Sequence, residues 1–298
     1  MTGAVRDLGR VLVTGSQGFL GSALVVFLRA AGADVLPTDV TGGDRSCDVT
    51  RFDAVDRVMR ETRFDTVFHC GAVSGPMVLA DRPLEIWRIN ATGTANVLEA
   101  ARATGVGRVI FCSTSEVYGR LTGPVDETML PQPTSVYAAS KLAAEHVSLA
   151  YRRERGLDVI ALRLSWIYGP GRRTPTMLGA ILEAALADGE VRFAGHSDDL
   201  THYLQVDDAV AGLLAAGRTV AVDEAVFNIT AGAGVPMSHI MEVVAHLRPA
   251  ARLSLGGARA DGVGPTAIDN SLAARVLGFR PVVGLEQGIE ATMRALGL

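Results

Sequence analysis

Short apolar runs rich in β-branched residues alternate with longer amphipathic stretches through the first half of the chain. Runs at 10–14, 34–39, 66–70, 108–113 and 158–164 predict strands, and apolar positions recur with helical period at 18–31, 51–61, 86–104 and 135–155. Strands separated by helices of this length predict an α/β fold, a doubly wound parallel sheet covered on both faces. Such a sheet binds ligands beyond the carboxyl ends of its strands.

After residue 168 the alternation becomes irregular. A helix is predicted at 176–187 and a short strand at 191–194, then a helix at 206–216 and an apolar run at 225–230 that return to the main sheet. From 232 onward the pattern reads as loop and helix, closing in an amphipathic helix at 285–296. With 298 residues and no repeat or long linker, the expected organisation is a main domain of residues 1–168 and 201–231 with an interleaved smaller lobe of 169–200 and 232–298.

The first strand runs directly into Gly15-Ser16-Gln17-Gly18-Phe19-Leu20-Gly21, which opens a helix. Glycines at this spacing permit a tight turn, let backbone approach a pyrophosphate, and allow close helix–strand packing, while the helix start supplies free N–H donors. The strand–turn–helix setting makes the sheet Rossmann-type and makes Gly15, Gln17, Gly18, Phe19, Leu20 and Gly21 candidate dinucleotide contacts. Asp39 ends the second strand, where a carboxylate receives ribose hydroxyls and repels a 2′-phosphate, so NAD is expected over NADP. Asp48 and Val49 either border the adenine or, for Asp48, cap the next helix.

Of the 28 basic residues, 27 are arginine and one, Lys141, is lysine. An ammonium kept at a single place is a candidate for chemistry that guanidinium cannot do. It falls four residues after Tyr137, on the same face of a predicted helix, where a cation stabilises phenolate and is expected to lower the tyrosine pKa. Thr114 lies at the end of a predicted strand, where its hydroxyl can hold a reacting oxygen against Tyr137. Thr114, Tyr137 and Lys141 are therefore the candidate catalytic residues.

Composition narrows the partners. A formal charge of −4 carries no basic footprint for nucleic acid or acidic lipid, and Arg152, Arg153 and Arg155 read as a solvated helix face. Apolar runs fall short of a membrane span and the first ten residues lack a targeting pattern, so a cytoplasmic protein is expected. Cys47, Cys70 and Cys112 have no metal-ligand spacing and read as small buried apolar residues; no metal is expected.

Several further motifs accompany these: Asn90-x-x-Gly93-Thr94-x-Asn96, Ser113-Thr114-x-x-x-Tyr118-Gly119, Arg163 with Tyr168-Gly169-Pro170, Val206-Asp207-Asp208, and Asp269-Asn270-Ser271 through Leu277-Gly278-Phe279-x-Pro281. With the glycine turn and Tyr137-x-x-x-Lys141, they resemble the extended branch of the short-chain dehydrogenase/reductase superfamily, which contains nucleotide-sugar epimerases and dehydratases. The resemblance covers almost the whole chain. It implies Tyr137 as general acid/base, Lys141 also on the nicotinamide ribose, Thr114 on the reacting oxygen, and Asn90 beside the site. It further implies that Cys70, Gly71 and Ala72 flank the nicotinamide, that Ser74 and Gly75 reach substrate, and that His69 is structural. A homodimer is implied as well, pairing helices 86–104 and 135–155 across a two-fold axis, with Val97, Leu98, Leu142, Val147 and Leu149 as candidate apolar contacts.

The chain departs from the nucleotide-sugar pattern at three places. Trp166 replaces an asparagine and Thr201 an arginine, both of which contact substrate diphosphate in that pattern, leaving Arg172 or Arg173 to compensate. Sugar dehydratases carry an Asp-Glu pair after the threonine; here Ser115 precedes Glu116. Ser115, Glu116 and Arg172 are kept as substrate-contact candidates. The expected reaction is net NAD-dependent oxidation of a secondary alcohol on a small sugar, polyol or sugar acid. The alternatives are a nucleotide-sugar epimerase or decarboxylase that recycles its NAD, and a non-catalytic NAD-binding scaffold, against which the presence of both Tyr137 and Lys141 counts.

Overall fold

The computed structural model describes residues 5–119, 121–187, 190–220, 222–257 and 264–297. Among them the main sheet has seven strands: β1 Val11–Thr14, β2 Val35–Asp39, β3 Arg45–Ser46, β4 Thr66–His69, β5 Arg108–Thr114, β6 Val159–Leu164 and β7 Val226–Ile229. Their order is β7-β6-β5-β4-β1-β2-β3 and every pairing is parallel. The strand order reverses between β1 and β4, which opens a crevice at their carboxyl ends.

The helices are α1 Phe19–Ala30, α2 Phe52–Glu61, α3 Pro83–Trp87, α4 Gly93–Thr104, α5 Val136–Arg155, α6 Met177–Leu186, α7 Val206–Arg218, α8 Met237–Leu247, α9 Ser271–Val276 and α10 Leu285–Leu296. Successive strand residues point to opposite faces, so Val11 and Val13 join a core with α1 and α7, whereas Leu12 joins a second core with α2, α4 and α5. The longest of these helices, α5, starts where Ser135 Oγ accepts from the Ala138 N–H at 3.1 Å and stops at Gly156, with φ +67°. A third core, with Ile181, Leu182, Ile240, Val244, Ile289 and Met293, joins α6, α8 and α10 below Tyr168 and Tyr203.

Several expectations need correction. The single helix at 86–104 is interrupted by a π-helical turn, Arg88–Thr92. Beyond residue 232 the chain also contains strands Val235–Pro236, Arg252–Leu255 and Pro265–Ile268, which pair with Leu200–Thr201, Glu190–Phe193 and Gly123–Val125. Runs of two to four residues are too short to show a strand period. Ala273, Leu277 and Phe279, expected in the smaller lobe, pack into the α1/α7 core, and the Asp208 carboxylate accepts from the Val282 and Val283 N–H groups, each at 3.0 Å.

Val97 and Leu98 are fully buried against their own sheet and offer nothing to a partner chain, while Leu142 and Leu149 on α5 remain half-buried. Arg152 is not simply solvated: its guanidinium lies 2.8 Å from Asp158. Among the described residues no helix is long and apolar enough to cross a membrane, and no group of His, Cys, Asp and Glu could hold a metal ion.

Candidate active site

From Thr14 the chain turns through Gly15, at φ +70°, into α1. A Cβ on Gly15 would stand 2.5 Å from the Gly71 nitrogen, so the loops after β1 and β4 meet backbone to backbone. A Cβ on Gly21 would overlap the Gly15 carbonyl, which explains a glycine inside the helix. Gly18 begins α1 with no side-chain cap, and the first turn contains no acidic residue. Its N–H groups and dipole are left to an external anion. Ser16 Oγ is buried in this turn with no hydrogen-bond partner among the described residues.

The Asp39 carboxylate accepts from the Gln17 N–H at 2.9 Å and the Val40 N–H at 2.7 Å, which fixes an anion beside the glycine turn. These residues fit a dinucleotide, with pyrophosphate at the uncapped helix start and a ribose toward Asp39. Asp48 is spent locally: Oδ1 accepts from the Thr50 N–H at 2.9 Å and the Thr50 hydroxyl at 2.7 Å, closing the turn before α2. Val49 is buried under Gly93, and its carbonyl accepts from Asn96.

An open cavity runs from this turn to the ends of β4, β5 and β6. Gly15, Gly18, Phe19, Leu20 and Gly21 form one end; Ala72, Ser74 and Gly75 form a wall; Thr114, Tyr137 and Lys141 meet at the other end. Tyr137 lies beside Thr114 and the Gly75 backbone, both of which favour its phenolate. Lys141 is 3% exposed, with Nζ 4.7 Å from the centre of the Phe111 ring.

The expected lowering of the tyrosine pKa is not realised. Burial, aided by Glu116 and Cys112, pushes Tyr137 up to about 12, and Thr114 and the Gly75 backbone oppose this only in part. Burial likewise brings Lys141 down to about 8, although Cys112, Cys70 and Glu145 favour its charge. Sequence spacing shows which charges are neighbours and is silent on how deeply they are buried. Without a ligand, the pair is a neutral phenol beside an ammonium that gives up its proton easily.

Asn90 acts on the site through other residues. It is fully buried; its Oδ1 accepts from the Val73 N–H at 2.8 Å and its Nδ2 donates to Ser140 Oγ at 3.0 Å. It thereby ties the 71–75 wall to the helix carrying Tyr137 and Lys141, and the π-helical turn is the segment that holds it. His69 is buried between Thr14 Oγ1 (2.7 Å) and Thr94 Oγ1 (3.1 Å), and burial together with Lys141 brings it down to about 3. It is neutral and structural, as expected.

Glu116 projects into the cavity and accepts from the Trp166 indole N–H at 2.7 Å; burial raises its pKa. Ser115 is buried in the 3-10 turn Ser115–Tyr118 and is absent from the cavity wall, to which that turn contributes Glu116. Thr201 is held by the Val235 carbonyl. Arg172, a substrate-contact candidate, reaches the cavity, 5.6 Å from the Phe19 ring, with Nε buried and unpartnered among the described residues. Arg173 donates to the Gln17 carbonyl at 2.7 Å and ties this loop to the glycine turn. Cys112 also lines the cavity, which its sequence surroundings did not signal.

A dinucleotide cradle leading into a buried Thr–Tyr–Lys cluster defines a nicotinamide-dependent oxidoreductase. The model of the NAD-dependent epimerase/dehydratase family matches residues 11–230, and the chain belongs to that family. It is 30% identical over 306 residues to a UDP-glucose 4-epimerase of Mycolicibacterium smegmatis, covering 95% of this chain and 97% of the relative. To a dTDP-glucose 4,6-dehydratase of Streptomyces griseus it is 34% identical over 311 residues, covering 95% and 92%. Among solved structures it is similar to MoeE5 in complex with UDP-glucose and NAD, with TM-score 0.86 and 31% identity over 97% of this chain and 98% of that one. The cofactor is NAD.

Proposed function

We propose that the chain is a nucleotide-sugar epimerase, which oxidises a ring hydroxyl to a ketone and reduces it again from the opposite face before releasing the sugar. This replaces net oxidation of a small sugar or polyol, a reading that rested on the donors missing at Trp166 and Thr201. Full-length likeness to enzymes named for UDP- and dTDP-sugars supports the change, and so does Arg172, a cation lining the cavity that suits a diphosphate.

The observation that carries epimerisation is the make-up of the cavity. Among the described residues it contains one proton-handling pair, Tyr137 and Lys141, and a single carboxylate, Glu116, already bonded to Trp166. Dehydration needs an acid and a base beyond the tyrosine; epimerisation needs only Tyr137. Thr114 holds the reacting oxygen, Tyr137 takes its proton and later returns it, and the Lys141 ammonium opposes the phenolate charge between the two steps. Bound NAD supplies the hydride acceptor and, on the return, the donor.

The test is incubation with UDP-glucose, UDP-galactose, UDP-glucuronate and dTDP-glucose, followed by proton NMR and absorbance at the NADH band. The expected result is an epimer of one substrate with no bulk NADH. NADH accumulating in step with sugar consumed would restore the dehydrogenase, and a keto-deoxy or decarboxylated sugar would assign a different reaction.

We also propose that the chain works as a homodimer through α5, where Leu142 and Leu149 lie seven residues apart on one face and are half-buried in the single chain. Light scattering at micromolar concentration is expected to give twice the chain mass. A monomer mass would rule this out.

A further inference from the structure

The parallel register that sets His69 opposite Phe111 puts Cys70 opposite Cys112 one step further along, on the same face of adjacent strands. Adjacent strands lie about 4.8 Å apart, within the Cα separation a disulfide accepts. The two sulfurs are 3.6 Å apart, and both residues line the cavity beside Tyr137 and Lys141. Cys47, the third thiol, is buried in the other core, where burial beside Asp48 raises it to about 11.

We propose that Cys70 and Cys112 form a peroxide-sensitive dithiol in the wall of the nicotinamide pocket, which closes to a disulfide when NAD is absent, blocks turnover once NAD returns, and reopens under thiol reductants. Cys112 is the attacking sulfur. Its hydrogen bond with Cys70 and the nearby Lys141 ammonium favour its thiolate, while burial and the same contact raise Cys70. The Cys112 thiolate attacks one peroxide oxygen; the O–O bond breaks, hydroxide leaves, and Cys112 becomes a sulfenic acid. Cys70 sulfur then attacks the sulfenic sulfur, the S–O bond breaks, and the Cys70 proton goes out with the departing water. Two thiols lose two electrons and one peroxide becomes two waters.

The effect on turnover comes from position. The Cys112 thiolate favours the protonated form of buried Lys141. A disulfide cannot ionise, so Lys141 loses that support and tends toward the neutral amine. Bonding also draws the sulfurs together by about 1.5 Å in the wall that carries the cofactor ring. Both sulfurs line the cavity that would hold NAD, so bound cofactor would shield them from peroxide and the cofactor-free protein is the sensitive form.

The experiment treats NAD-stripped and NAD-saturated protein with hydrogen peroxide, counts free thiols, and maps peptides without reduction. NAD-stripped protein is expected to fall from three free thiols to one, with a Cys70–Cys112 cross-linked peptide. Activity measured after NAD is restored should fall at least about tenfold and recover with dithiothreitol. NAD-saturated protein should keep its thiols. Cys70→Ser and Cys112→Ser, each compared with its own untreated activity, should form no cross-link and resist the reversible loss. Three intact thiols in the stripped protein, or oxidation without the cross-linked peptide, would overturn the proposal. So would an equal, dithiothreitol-reversible loss in wild type and both serine variants. Peptide mapping reads the dithiol even if no nucleotide sugar is turned over.

Discussion

Lys141→Arg is expected to remove most turnover, about 100-fold or more, while leaving the chain folded and able to bind NAD weakly. Arginine is used at 27 other positions, so a purely electrostatic need at residue 141 would be met by it. The site asks for more than charge. The lysine is 3% exposed, its Nζ sits 4.7 Å from the Phe111 ring centre, and Cys70 and Cys112 stand close by. A planar guanidinium needs more room, presents its donors in a fixed fork, and cannot take the ammonium's place beside the tyrosine. Tyr137→Phe should cost a similar amount by removing the exchangeable proton, and the double variant should be little worse than either single one, because the two groups work as a unit. Steady-state rates on the substrate found by the nucleotide-sugar screen, with melting curves to confirm folding, provide the check. Near-normal rates in Lys141→Arg would remove the lysine from the mechanism.

What could be read from the sequence follows the range over which each feature is determined. The glycine turn was legible because the strand, Gly15, Gly18, Gly21 and the helix are contiguous, and a Cβ at Gly15 or Gly21 collides with backbone. Tyr137 and Lys141 were legible because four residues is one turn of helix. Cys70 and Cys112 are brought together only by the pairing of two strands 42 residues apart, and no local pattern announces that. The Trp166–Glu116 bond spans 50 residues and was equally hidden.

Electrostatics failed for a related reason. Tyr137 was expected to be acidified by its neighbour, yet burial moves it the other way, and burial belongs to the whole fold. The sequence leaves open whether Arg172 or Arg173 stands in for the donors missing at Trp166 and Thr201; the loop after residue 168 brings Arg172 to the cavity, a placement no local pattern specifies.

Replacing the lysine by an apolar side chain should separate function from stability. Lys141→Met is expected to be inactive and to unfold at higher temperature than the wild type at pH 7. In the folded chain Lys141 sits at about 8, against an ordinary value of 10.5, so below pH 8 the native state holds a buried ammonium that the unfolded chain keeps in water. A shift of that size costs about 3 kcal/mol of stability at neutral pH, and methionine, of similar length, removes the charge. Part of the gain is offset by imperfect packing, so a rise of roughly 5 °C is expected. Between pH 8 and 10.5 the native lysine is neutral while the unfolded one still binds a proton, so wild-type stability rises with pH relative to the variant and the gap closes. Melting of NAD-stripped protein at pH 7 and pH 10 tests this, the cofactor being removed because it would stabilise only the form that binds it. A variant that melts below wild type at pH 7, or a gap that is the same at both pH values, would mean that this buried ammonium is compensated by its sulfur and carboxylate neighbours.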